Sequence, residues 1–199
     1  DGSQVAFQGL WGVPYIASVY GVNPTTAAGA VTMVAVGYVV AAPFVGKLAD
    51  VMAARGMNLV TAQRRLLVAT TLLYVATWVP IVLAPGFLPL SAMYVLLFVM
   101  GISVSSASLV FGIAKGLFPP NVSGLAIGLV NITSILGGAA MPPVVGWFID
   151  RLTAAGVQGG EVYSRAMIPC LLAAALGLAL VSMVGRPART NMRPGYHAK

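Results

Sequence analysis

Charge is scarce in this sequence, and acidic charge scarcest of all: four Asp and Glu stand against eleven Lys and Arg in 199 residues, only 8% charged in total. A soluble domain carries roughly a quarter. With 59% hydrophobic residues and a mean hydropathy of +0.93, the solvent for most side chains is lipid. The single cysteine, Cys170, excludes an internal disulfide and reads as lipid-facing filler within an apolar run. No Asp, Glu, His, Lys or Arg falls in the middle of an apolar run, and the one histidine, His197, lies near the end of the chain. An intramembrane enzyme would need a nucleophile with a base, paired carboxylates or metal ligands at depth. The sequence offers no such catalytic residues, no metal site and no motif that would need a cofactor, so it does not read as an enzyme. A charged ring or carbonyl filter, the marks of a channel, is equally missing. The opening Asp1-Gly2-Ser3 has neither an initiating Met nor a signal sequence, which predicts a piece of something longer.

What is present is a series of apolar runs about 20 residues long, the length that crosses a bilayer core of about 30 Å as helix. Six are expected, over residues 4–22, 25–50, 64–84, 90–117, 122–152 and 165–184. Asn23-Pro24, Pro85-Gly86 and Pro119-Pro120-Asn121 punctuate them, since proline drives the preceding residue out of helical geometry. Thr25-Thr26 is the expected cap of the second. The fifth is long enough to require tilt or a protruding end. The fold expected is all-α: a polytopic bundle of six transmembrane helices over residues 1–185, followed by a basic cytoplasmic tail over 186–199.

The stretch from Gly46 to Arg65 orients the rest. It is a basic interruption holding Lys47, Arg55, Arg64 and Arg65 against Asp50 alone. With six spans, this loop, Lys115 and the tail cations Arg186, Arg189, Arg193 and Lys199 share one side, leaving only Arg151 and Arg165 on the other. Positive charge marks the cytoplasmic side, so both termini are expected there, in a plasma membrane of the bacterial inner type. Cations spread over short loops and a tail also argue against nucleic acid as the partner of a chain with net charge +7.

Polar residues inside the runs mark candidate working surfaces. Gln4, Gln8, Trp11 and Tyr15 recur at helical spacing and form one stripe on the first helix. Two glutamines need a wet or protein-lined face in hydrocarbon. Ser103, Ser105, Ser106 and Ser108 crowd two turns of the fourth run, where they either bond their own backbone or face a cavity. In the fifth, Gly124, Gly128, Asn131 and Gly138 fall close to one face, suited to tight packing, and Pro142-Pro143 removes two successive backbone donors, making a kink or flexing point. Asn131 either contacts a ligand or bridges helices. The sixth run is almost featureless, which suits a lipid-facing position.

The order and sidedness of these elements resemble the C-terminal six-helix half of the major facilitator superfamily of secondary transporters. Gly46-Lys47-Leu48-Ala49-Asp50 is similar to the start of the family's loop motif, although the basic cluster that normally follows is spread out here into Arg55-Gly56 and Arg64-Arg65. The stretch from Phe118 to Asn131 resembles the start of the family's eleventh helix, and Gly137-Gly138 through Pro142-Pro143 to Gly146 its continuation. The resemblance implies transport of a small-molecule substrate by alternating access, with a missing N-terminal half as partner in the lipid bilayer. It implies that the first and fourth helices line the central cavity, with Gln4, Gln8, Trp11, Tyr15, Ser105 and Asn131 as substrate-cavity candidates. It also implies that Gly46, Asp50 and Arg55 act at the cytoplasmic gate. Under this reading the third and sixth helices face lipid, a poor match to Thr70, Tyr74, Thr77 and Trp78 in the third. A residue for proton coupling would lie in the missing half, or the transporter is a uniporter. The competing reading is a six-helix scaffold, or a half that self-associates through its glycine faces.

Overall fold

The computed structural model describes residues 1–183. Those residues form α1 (Gly2–Ala6), a π-helical turn (Phe7–Trp11), α2 (Gly12–Tyr20), α3 (Pro24–Ala54), α4 (Leu59–Leu83), α5 (Leu90–Val104), a 3-10 turn (Ser105–Ala107), α6 (Ser108–Leu117), α7 (Pro120–Ala154), α8 (Gly160–Ala166) and α9 (Ile168–Met183). The interrupted pairs act as single rods, so the described residues make six antiparallel spans and include no strand. Five of the six are long and apolar enough to cross a bilayer. The first, over Gly2–Tyr20 and broken by the π turn, is the shortest. Every backbone group inside lipid must be paired within its own segment, and continuous helices achieve this.

Several boundaries differ from the sequence expectation, each for a local reason. The cap of α3 is Asn23, whose side chain accepts from the Thr26 amide at 2.8 Å. Pro24 then occupies the first helical position, where its missing donor costs nothing, so Thr25 and Thr26 already lie inside the helix. Asn58 caps α4 in the same way, accepting from Val60 at 3.0 Å. That cap starts α4 at Leu59 and draws Arg64 and Arg65 out of the expected loop into its second turn. The basic stretch from Gly46 to Arg65 is therefore mostly helix, with a short connection between Ala54 and Leu59. Arg64 donates to the Ser182 carbonyl at 2.7 Å, tying the second turn of α4 to α9. The tail over 186–199 lies outside the described residues.

The π turn has its own cause. Pro14 has no amide to give the Leu10 carbonyl and its ring crowds that carbonyl; the wider turn before it accommodates both. At the chain's first bend, Gly21 adopts φ +64°, a left-handed stop that glycine takes without strain.

Packing is led by aromatic and small residues. Phe7, Tyr15, Tyr74 and Trp78 cluster at the centre: Phe7 meets Trp78 edge-on at 5.6 Å between centroids and Tyr74 meets Trp78 at 6.1 Å. Ser3 and Tyr74 hydroxyls share a hydrogen bond of 2.9 Å. This explains the polar character of the third span. Tyr74, Thr77 and Trp78 point into the bundle, while Leu72, Leu73, Val79 and Leu83 remain exposed. Cys170 is fully buried in the same core, with Ala174 one turn on. The lipid-facing reading of that thiol is corrected: the outward face of α9 is Leu172, Leu176 and Leu180. The closest crossing is α3 on α5, where a Cβ on Gly37 would overlap the Phe98 carbonyl and one on Gly101 the Val34 carbonyl.

One end of the bundle carries Lys47, Asp50, Arg55, Arg64, Arg65 and Lys115 among the described residues; the other carries Asp150, Arg151, Glu161 and Arg165. At this second end Arg151 lies 4.9 Å over the Trp147 ring, and exposed Glu161 and Arg165 pair one turn apart. Tryptophan beside a cation suits a membrane interface.

Candidate functional site

The first span, α3 and the fourth span enclose a groove of about 290 Å³. Its polar groups are Gln4, Gln8 and Tyr38, and its aliphatic walls are Val34, Ala35, Val39 and Val104. Depth follows from helix rise. Gln8 lies about 18 Å from the Tyr20 end of its span, and Tyr38 and Val104 lie about 21 Å from the starts of α3 and α5. These values agree, and they place the groove deep within a hydrocarbon layer of about 30 Å.

The two amides are coupled: Gln4 Nε2 donates to Gln8 Oε1 at 2.9 Å. Gln4 is only 8% exposed, and its Oε1 is buried without a protein partner. Gln8 is exposed toward the groove. A second space, of about 350 Å³, runs between α6 and α7, lined from Ala114 and Phe118 to Leu129 and Val130. Its lining is entirely apolar and offers nothing to orient a polar solute.

Other residues named from sequence fall elsewhere. Trp11 turns toward α7, donating from Nε1 to the Pro142 carbonyl at 3.0 Å and packing on Gly146. Tyr15 is fully buried, its hydroxyl donating to the Ile81 carbonyl at 3.0 Å. The expected stripe of four thus splits, because the wider π turn between Gln4 and Tyr15 rotates less per residue than a regular helix and shifts the faces on either side of it out of register. Ser105 is also fully buried, donating to the Ile102 carbonyl at 2.7 Å; Ser103, Ser106 and Ser108 likewise bond carbonyls of their own span. Ser106 additionally accepts from Thr70 at 2.6 Å. The backbone-bonding alternative for the serines is the one observed.

On α7, Asn131 is exposed and does not reach the groove. A Cβ added at Gly124 or Gly128 would meet nothing within 4 Å, so neither glycine packs closely within the described bundle. Gly138 does, against Val5, and Gly137 takes the backbone of Gly2 close by. The helix continues through Pro142 and Pro143. Asp50 and Arg55 are exposed at the basic end, and Gly46 nearby has open space where a side chain would stand. The residue missed from sequence is Tyr38. A lone tyrosine fourteen residues into an apolar helix was its only signal.

An all-helical bundle of membrane-spanning rods, with an uncharged polar groove at depth and no grouped metal ligands among the described residues, defines a polytopic membrane protein. The chain belongs to the Major Facilitator Superfamily, whose family profile it matches over residues 4–195. Proteins of this superfamily are transporters rather than enzymes, moving solutes across membranes. No curated protein matches the chain.

Proposed function

We propose that the chain forms the C-terminal six-helix half of a secondary transporter, and that the Gln4–Gln8–Tyr38 groove is its share of the substrate site. Substrate would bind between two such halves near the midplane, and rocking of the halves would expose it alternately to each side. The observation that carries this is the buried, unpartnered Gln4 Oε1 beside exposed Gln8 at membrane depth. A free amide there is costly against lipid and is favoured where a solute or water meets it. Asn131, exposed within an apolar helix, supports a protein- or water-facing side for α7, where the open Gly124 and Gly128 would receive the other half.

The basic end is assigned to the cytoplasm, with Asp50 and Arg55 at the gate on that side. A proton-coupling residue, where the transporter has one, is assigned to the other half. Trp11 acts indirectly, holding the first span to α7, while Tyr15 and Ser105 fix the spans that frame the groove. Uptake into proteoliposomes, over a panel of metabolites with and without a proton gradient, tests the reading. Gln8→Ala should raise KM for the transported solute and Trp11→Ala should lower kcat. Kinetics untouched by both substitutions would end the assignment of the groove.

A further inference from the structure

Arg64 and Arg65 stand near the basic end of α4, outside the groove and the gate, and no carboxylate pairs with either. The sequence has only four acidic side chains. Asp1 accepts from Ser134 on α7, Asp50 lies near the end of α3, and Asp150 and Glu161 stand at the opposite end of the bundle. The one ion pair among the described residues joins Glu161 to Arg165. We propose that Arg64 and Arg65 hold the phosphate of an anionic phospholipid in the leaflet at the basic end, with its acyl chains lying along the outward seam between α4 and α9.

Position is the first argument. Alternating steps of four and three residues from Arg65 reach Ala69, Leu72, Ala76, Val79 and Leu83, which share one helical face, and all six residues are exposed. Apart from Arg65 that face is wholly apolar. It points away from the core, into which Tyr74, Thr77 and Trp78 turn, and suits contact with lipid. Arg65 lies about 27 Å from Leu83 by helix rise, close to the hydrocarbon thickness of about 30 Å. Its guanidinium therefore reaches the phosphate level at the edge of the stripe. The neighbouring helix completes the seam. Arg64 donates to the Ser182 carbonyl at 2.7 Å, which lays it across the contact between α4 and α9. On α9, Leu172, Leu176, Leu180 and Met183 are exposed and form a second apolar stripe that ends where Arg64 makes this contact.

Charge is the second argument. A guanidinium at the edge of hydrocarbon is costly without a counter-ion, and no acidic side chain of the sequence supplies one there. A phosphodiester does, with paired oxygens that match the guanidinium fork. The headgroup of a zwitterionic lipid brings its own cation, whereas an anionic headgroup leaves the phosphate uncompensated. Each arginine near the membrane surface favours the anionic lipid by about fivefold.

The test labels the seam. Leu180→Cys in the full protein, at an exposed position, carries a bimane, while Cys170 is buried. The protein is placed in phosphatidylcholine nanodiscs with rising fractions of phosphatidylglycerol or phosphatidylcholine bearing a nitroxide near the headgroup. Half-quenching should need an at least about fivefold smaller fraction of the phosphatidylglycerol probe. Arg65→Gln should raise that fraction about fivefold. Lys47→Gln, which removes the same charge from the basic end of α3, should leave it unchanged. Arg65 and Lys47 are both exposed, and a monodisperse elution profile checks that each variant is folded. Equal quenching by the two probes in the labelled protein with both cations intact would overturn the inference, as would a preference that survives Arg65→Gln. A preference lost equally in Lys47→Gln would also overturn it, since a diffuse basic field rather than a site would then draw the lipid.

Discussion

Tyr15 and Gln8 stand seven residues apart on the first span and do opposite work. The Tyr15 hydroxyl closes an unpaired carbonyl at the end of α4, where Pro85 cannot supply the amide. Gln8 faces the groove. Tyr15→Phe should therefore destabilise the protein by about 1 kcal/mol while leaving KM for the transported solute unchanged. Thermal unfolding in detergent beside uptake kinetics separates the two effects, and a KM shift without loss of stability would place Tyr15 in the site after all. The glutamines were legible from sequence because amides are rare at membrane depth. The separate fates of Trp11 and Tyr15 were not, because a π turn leaves no period in the residues around it. Ser105 and its neighbours were ambiguous for a different reason: a serine in a helix satisfies its hydroxyl on the preceding turn wherever the helix happens to face.

Among the helices, contact is set by where a side chain is missing. Gly37 and Gly101 let α3 and α5 cross with each backbone against the other's carbonyl, and this pair holds two walls of the groove together. Gly101→Leu should cost about 3 kcal/mol or more, seen as loss of monodisperse protein, whereas Gly124→Leu, with open space around it, should leave the isolated bundle's stability nearly unchanged. Equal tolerance of both would mean that the α3–α5 crossing has room for a side chain at Gly101. Span number, order and approximate limits could be read from hydropathy and proline placement. Which glycines make close contacts could not, since Gly37, Gly101, Gly124 and Gly128 look alike in sequence and differ only in what stands opposite. The buried side of the third span was similarly hidden: its polar residues suggested a conflict that the inward rotation of Tyr74, Thr77 and Trp78 resolves.

At the scale of the whole molecule, sidedness and transport are the claims to be met. Cysteines introduced at Ala54 and Phe87, both exposed at opposite ends, should label from the cytoplasmic and outer faces respectively, with buried Cys170 silent. Labelling of both from one side would break the six-span topology. The most direct measurement is solute flux through proteoliposomes holding the full protein or its Gln8→Trp variant, each shown to be folded. Saturable flux in the first and its loss in the second, with Tyr15→Phe still active, is the expected result. Undiminished flux with an indole filling the groove would contradict the claim that solute passes between Gln4, Gln8 and Tyr38.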